Sequence, residues 1–222
     1  DTNMRGFGTE KIEEEVKKIF PKARVARMDL DTTRGKNSYQ KLIAQFEDKE
    51  IDILVGTQMV SKGLDFNNVS LVGVLNADQM LYYPDFRAFE RAYQLMAQVS
   101  GRAGRKYKRG KVIIQSHNPH HNTIRDVMEN DYINMYNSEI LNRRNFLYPP
   151  FYRLIYLTFR HKDRTILDAC CDEFALNLKS DIGSDRVLGP EYPGINRINN
   201  LFNKKIVQRY SFIGVNVYCI AI

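Results

Sequence analysis

Apolar residues fall at helical spacing over residues 8–20. Ile12, Val16, Ile19 and Phe20 recur there behind Thr9, a residue suited to cap a helix, and Glu13 opens an acidic first turn. Pro21 closes this helix. Residues 24–30 alternate as a strand does, and 38–46 return to helical spacing. Residues 51–55 form a short apolar run bounded by Asp52 and Gly56, the pattern of a buried parallel strand. A second such run spans 69–75, a long helical pattern follows over 87–99, and 111–115 supplies another strand. Strands alternating with helices predict a doubly wound α/β domain over residues 1–120.

Beyond Pro119 the pattern changes. Residues 122–128 and 132–146 read as helices, the second rich in Asn, Tyr and Arg, and Tyr148-Pro149-Pro150-Phe151 ends it sharply. Residues 121–150 are therefore expected to be a helical linker. Strand-like alternation over 152–160 leads to a helix over 165–178, whose apolar stripe is Ile166, Ala169, Cys170, Phe174 and Leu178. Extended chain follows from 187–190. This predicts a small α+β domain over residues 151–222, with no internal repeat and no low-complexity linker.

The chain has 222 residues, 43% of them hydrophobic, enough for one good core and a smaller second one. Thirty-three Lys and Arg against 26 Asp and Glu give a formal charge of +7 and favour a polyanionic partner. Cys170, Cys171 and Cys219 make no C-x-x-C pair, which argues for reduced thiols rather than a metal or disulfide framework. No charged-then-apolar leader opens the chain, and no apolar run reaches the ~18 residues of a membrane span. A soluble cytoplasmic protein with no membrane partner is expected. The opening on Asp1 rather than Met implies residues upstream.

Two segments carry candidate chemistry. Gln98-Val99-Ser100-Gly101-Arg102-Ala103-Gly104-Arg105 lies where the long helical pattern breaks into glycines. At helical spacing Arg102 and Arg105 project from one face. Two guanidiniums converging on a point suit a phosphate, because each offers paired planar donors and stays charged. Gly101 and Gly104 would admit a close neighbour. The competing reading is a solvated basic turn. The other segment, Gly56-Thr57-Gln58-Met59-Val60-Ser61-Lys62-Gly63-Leu64-Asp65-Phe66, directly follows the strand at 51–55, where ligands gather in open α/β sheets. Thr57, Gln58, Ser61 and Lys62 suit a sugar-phosphate backbone, and Asp65 suits a ribose hydroxyl or an arginine. The alternative for Asp65 is that it caps a turn. Arg87, Glu90, Arg91 and Gln94 share a helical face, read as a surface with ion pairs rather than a cleft wall. Asp172-Glu173 reads as a solvated face.

In this order the two segments resemble motifs V and VI of the superfamily-two helicases. Further landmarks resemble the primosomal replication-restart helicases: Gly6-Phe7-Gly8-Thr9-Glu10, Asp29-Leu30-Asp31-Thr32-Thr33, Asn76-Ala77-Asp78, Pro84-Asp85-Phe86-Arg87-Ala88, Tyr148-Pro149-Pro150-Phe151 and Leu188-Gly189-Pro190. The likeness runs over residues 5–206. Past Ile206 the chain departs from the family pattern, which leaves its last strand open.

The resemblance implies a second RecA-like lobe, followed by a C-terminal domain that helps bind branched DNA. ATP and Mg would sit in the cleft between lobes, held mainly by a first lobe whose phosphate loop and acidic metal motif are not in these residues. The stretch from Gly104 to Lys111 fails as a phosphate loop, its glycine spacing being one residue too long and Val112 following the lysine. By resemblance Arg102, Arg105 and Gln98 are catalytic, and Gly63, Asp65, Gly101 and Gly104 serve the nucleotide. Thr57, Gln58, Lys62 and Arg153 serve DNA. Arg143, Arg144, Tyr148, Tyr152, Arg160, Arg197, Lys204 and Lys205 suit phosphate pairing and stacking, against core packing for most of the aromatics. The family's zinc module precedes the Gly-Thr-Glu segment, so no zinc is expected here. The first strand of the lobe is expected upstream as well. Implied partners are forked and single-stranded DNA, single-strand-binding protein and primosome proteins, in a 3′–5′ helicase acting in replication restart. The competing function is a branched or single-stranded DNA-binding module without a motor. A recombination or repair translocase explains the Asp-Phe-Arg and Tyr-Pro-Pro-Phe segments poorly.

Overall fold

The computed structural model of the chain describes residues 8–29, 31–33, 38–57, 69–101 and 110–211. The chain divides into two compact units, Asp1–Met135 and Tyr136–Ile222.

The first unit opens with helix α1 (Thr9–Ile19), whose Glu10 in the first turn and Lys17 and Lys18 in the last complement its dipole. Gly8, not Thr9, takes the cap position. The Thr9 hydroxyl instead donates to Asp29 Oδ2 at 2.6 Å, so a bond to the next strand replaces the expected cap. Strand β1 (Val25–Met28) leads through helix α2 (Ser38–Glu47) to strand β2 (Ile53–Gly56), which lies parallel to β1 with Met28 beside Gly56. Tyr39, Leu42, Ile43 and Phe46, one helical face, pack with Leu54 and Val69 around the fully buried Met28. The run at 51–55 is less buried than its composition implies: the strand starts at Ile53, and only Val55 is buried. Asp52 lies outside the ladder because its carboxylate accepts from Arg24 N, Nε and Nη2 at 2.8–2.9 Å.

Strand β3 (Leu71–Val74) is followed by the short helix α3 (Asp78–Leu81), which hydrophobic periodicity did not reveal, and by helix α4 (Ala88–Ser100). Strand β4 (Lys111–Ile114) then pairs parallel with β3. Helix α5 (Asn122–Glu129) packs Ile124 and Val127 against Ala77, Leu81, Ala92, Tyr93 and Met96. It ends on Asn130 at φ 55, a left-handed position that asparagine tolerates better than most side chains. Parallel pairs with crossover helices bear out the α/β expectation. Among the described residues the two pairs form separate ladders rather than one sheet.

The division between units falls inside helix α6 (Tyr132–Asn145). In the second unit, strand β5 (Tyr152–His161) is followed by helix α7 (Arg164–Ile182), capped by the Asp163 side chain. Strands β6 (Val187–Glu191), β7 (Arg197–Ile198) and β8 (Leu201–Ser211) complete an antiparallel sheet of order β5-β8-β6, with β7 also on β8. Helix α7 covers one sheet face, closing a core of Ala175, Val187 and Ile206 with Leu157, Phe159, Leu178 and Ile182. The expected stripe is corrected here. The buried residues are Leu167, Cys171 and Ala175, while Ile166, Cys170 and Phe174 lie exposed. Small Cys171 and Ala175 let the helix approach the strands, and Phe174 reaches Phe159 from the flank at 5.2 Å between ring centroids.

Candidate functional site

The β1–β2 register places Asp29 and Thr57 just beyond the carboxyl ends of adjacent parallel strands. Asp29 organises that end. Its carboxylate accepts from the Thr9 hydroxyl, from the Asp31 and Thr32 amides at 3.1 and 3.0 Å, and from the Thr32 hydroxyl at 3.1 Å. Arg27 lies 3.3 Å away. These donors, Thr9 foremost, hold the Asp29 pKa at about 2 against the opposing effect of burial. The turn at 31–33 is thereby tied to both β1 and α1. Sequence reasoning gave Asp29 no role, although an Asp after a strand with Thr three residues on is the signature of a side-chain-closed turn. Thr57 is exposed just past the end of β2, where the candidate loop begins. Gln58, Lys62, Gly63 and Asp65 lie outside the described residues.

The second candidate segment leaves from α4. Ala88, Ala92, Tyr93 and Met96 bury one stripe of that helix and so fix its roll. Arg87, Arg91, Gln94 and Gln98 are exposed. Arg87 pairs with Glu90 at 3.3 Å, Gln94 donates to Glu90 at 3.2 Å, and Arg91 pairs with Asp85 at 2.7 Å. Asp85 also accepts from the Arg87 amide at 2.8 Å and so brackets the helix start. This face is a surface ion-pair network, as its spacing implied.

Gln98 stands in the last turn, and the Gly101 amide closes the helix on Ala97 O at 3.0 Å. Gly101 has φ −66, and a Cβ there would meet Ala97 O at 3.5 Å and Gln98 O at 3.7 Å, ordinary contacts. Local backbone geometry therefore does not require this glycine. A helix C-terminus carries partial negative charge, so a phosphate there depends on added cations. Arg102 and Arg105 are the cations next in sequence; with Gly104 they lie outside the described residues.

At the carboxyl ends of β3 and β4, Asp78 accepts from Ser116 Oγ at 2.8 Å and the His117 amide at 2.8 Å, with His117 Nδ1 at 3.0 Å. Burial pushes the Asp78 pKa up, but the His117 and Ser116 bonds more than offset it and leave it lowered. This latch joins the Asn76-Ala77-Asp78 segment to the strand opposite.

In the second unit the basic residues separate by sheet face. Lys204 is buried on the α7 side, 2.8 Å from Asp168 and 3.1 Å from Asp172. Burial opposes its charge, yet the two carboxylates more than compensate and its pKa is raised. Lys204 therefore belongs to the core, not to a nucleic-acid surface. Asp172 and Glu173 are exposed, as a solvated face requires, and Asp172 pairs with Lys204 from that position. Arg153 is exposed near the start of β5. Arg209 lies 5.0 Å over the Tyr148 ring and donates to Asp185 O at 3.3 Å. Among the described residues no helix is long and apolar enough to cross a membrane, and no group of three His, Cys, Asp or Glu is arranged to hold a metal ion.

Comparison with known proteins matches residues 7–107 to the helicase conserved C-terminal domain. The chain is 45% identical over 206 residues to the replication restart protein PriA of Bacillus subtilis, covering 92% of this chain and 26% of that protein. It is 48% identical over 158 residues to the PriA of Chlamydia pneumoniae, covering 71% and 21%, and 41% identical over 211 residues to that of Treponema pallidum, covering 94% and 32%. The chain thus spans about a fifth to a third of the length of these relatives.

Proposed function

We infer the role of this chain from the family it belongs to, the PriA replication restart proteins, of which it forms a C-terminal part carrying the helicase C-terminal domain. The intact protein is an ATP-dependent DNA helicase that moves 3′ to 5′ and remodels stalled forks for primosome assembly. The observation that carries this reading is the helicase match over residues 7–107, which takes in both the loop after β2 and the segment after α4.

In this role Arg102 and Arg105, with Gln98, stabilise charge developing on the γ-phosphate of an ATP whose Mg and phosphates are held mainly by the first lobe. Gly63, Asp65, Gly101 and Gly104 line the nucleotide. Thr57, Gln58, Lys62 and Arg153 grip the DNA strand. The arginines find their partner only while ATP is bound, so hydrolysis releases one lobe from the other and shifts the grip on the strand. These 222 residues alone turn over no ATP. Forked and single-stranded DNA are the substrates, single-strand-binding protein and primosome components the partners, and the cytoplasm the compartment.

A forked duplex labelled with a fluorophore and quencher tests this reading. The intact protein should separate the fork only with ATP, and only when a strand of 3′–5′ polarity is available. Tight binding with no ATP-dependent separation would instead favour a branched or single-stranded DNA-binding module.

A further inference from the structure

Helix α5 begins on an unusual cap. Serine, threonine, aspartate and asparagine are the side chains that ordinarily fill this position. Here it is His121, whose Nδ1 accepts from the Thr123 amide at 3.2 Å. That bond fixes the state of the ring, because Nδ1 accepts only while it carries no proton. The His121 carbonyl accepts from the Ile124 and Arg125 amides at 2.9 and 3.1 Å. Three of the first four amides of the helix, which have no partner within it, thus depend on this one residue.

Water is a poor substitute for the side chain here. Thr123 is 5% exposed and Ile124 3%, and His121 itself is half-buried. Its ring centroid stands 5.0 Å from that of Phe89, in the first turn of α4, and 6.3 Å edge-on from that of Tyr82, the C-cap of α3. The imidazole therefore sits where α3 ends and where α4 and α5 begin. Helix α5 in turn packs Ile124 and Val127 with Ala92, Tyr93 and Met96, the stripe that fixes the roll of α4.

Burial lowers the His121 pKa below the ordinary 6.5, outweighing Asp78 on α3 and Asp126 on α5, which both favour the protonated form. The phenol of Tyr82 also faces the ring, and α4 meets it with the uncharged Phe89. A histidine of lowered pKa binds its proton more weakly folded than unfolded. Its contribution to stability is therefore complete above about 6.5 and is lost as pH falls below that value. A cation at this end of a helix also opposes the dipole.

We propose that His121 is an acid-sensitive cap: a proton on Nδ1 strips the Thr123 amide of its acceptor and loosens the start of α5 from α3 and α4. Where the helicase reading above holds, mild acid also slows ATP turnover, since the last turn of α4 carries Gln98. The cap itself does not depend on that reading.

The test is amide hydrogen exchange of the 222-residue chain, followed by NMR from about pH 7.5 to about pH 5.5 and expressed as protection relative to the unfolded chain. Protection of the Thr123 and Ile124 amides should fall about tenfold in the wild type, within the worth of an N-cap. His121→Asn supplies a cap that does not titrate and should keep its protection over the same range. His121→Ala should show low protection at both ends; if it does not fold, wild type against His121→Asn decides. Equal acid losses in wild type and His121→Asn, or no loss in wild type, would overturn the proposal. An intact protein without DNA-stimulated turnover, whose Thr123 amide still loosens in acid, would remove the motor reading and leave the cap standing.

Discussion

Thr9, the first residue of α1, donates its hydroxyl to the carboxylate of Asp29 at the end of β1 across 2.6 Å. This bond ties the first helix to the strand end where the candidate DNA-binding loop begins. It is also the largest influence holding the Asp29 pKa at about 2 rather than the ordinary 3.8. A depressed carboxylate adds stability that is present above its unfolded pKa and is lost as pH falls through the folded one. Thr9→Val should therefore destabilise the first unit at pH 7 by about 1.5–3 kcal/mol, the worth of a hydrogen bond to a charged group. The deficit should shrink as pH drops from about 4 toward about 2. Urea titrations of both proteins at several pH values measure it, and a deficit that does not change with pH would disprove the linkage.

Two glycines should respond in opposite ways. Gly189 has φ +92, and a Cβ there would lie 2.8 Å from Lys205 O, at the irregularity where β6 shifts register on β8. Gly189→Ala should cost about 2 kcal/mol in the second unit. Gly101→Ala meets only ordinary contacts and should change stability by less than about 1 kcal/mol, yet it should slow ATP turnover in the intact protein. Thermal melts with a turnover assay check the pair. A stable Gly189→Ala, or a fully active Gly101→Ala, would contradict the respective assignment.

Neighbouring lysines separate fold from interface. Lys204→Met leaves Asp168 and Asp172 facing an apolar side chain and should destabilise the second unit by about 1–3 kcal/mol, limited by the exposure of both carboxylates. It should leave the salt dependence of DNA binding as it is. Lys205→Ala should do the reverse. A salt slope altered by Lys204→Met in protein that remains folded would show that the buried lysine reaches DNA after all.

Much of this architecture was legible in the sequence because periodicity reports burial. The helical spacing over 87–99 and 38–46 anticipated α4 and α2, whose packed faces in the structure carry Ala88, Ala92 and Met96, and Tyr39, Leu42, Ile43 and Phe46. Polar bonds over distance were not legible: Thr9 looked like a cap because nothing local reveals Asp29, twenty residues on. The roll of α7 was misread for a related reason. Ile166, Cys170 and Phe174 are as apolar as the stripe beside them, and only the small Cys171 and Ala175 let the sheet come close. Alternation along β5 could not say which of its faces α7 would cover, so Lys204 and Lys205 were read alike until the strands were paired. At the candidate site, Thr57, Gln98, Gly101 and Arg153 are placed, while the remaining assigned residues rest on motif and family likeness.

The central claim is that this chain supplies the arginines of an ATP-hydrolysing cleft, and fork-stimulated ATP turnover by the intact protein tests it most directly. Wild type should be strongly stimulated by forked DNA. Arg105→Ala should lose at least two orders of magnitude in rate, against the contribution of about 10³–10⁵ that an arginine can make to phosphoryl transfer, while binding the fork as tightly. An Arg105→Ala protein that turns over ATP at the wild-type rate would contradict the claim.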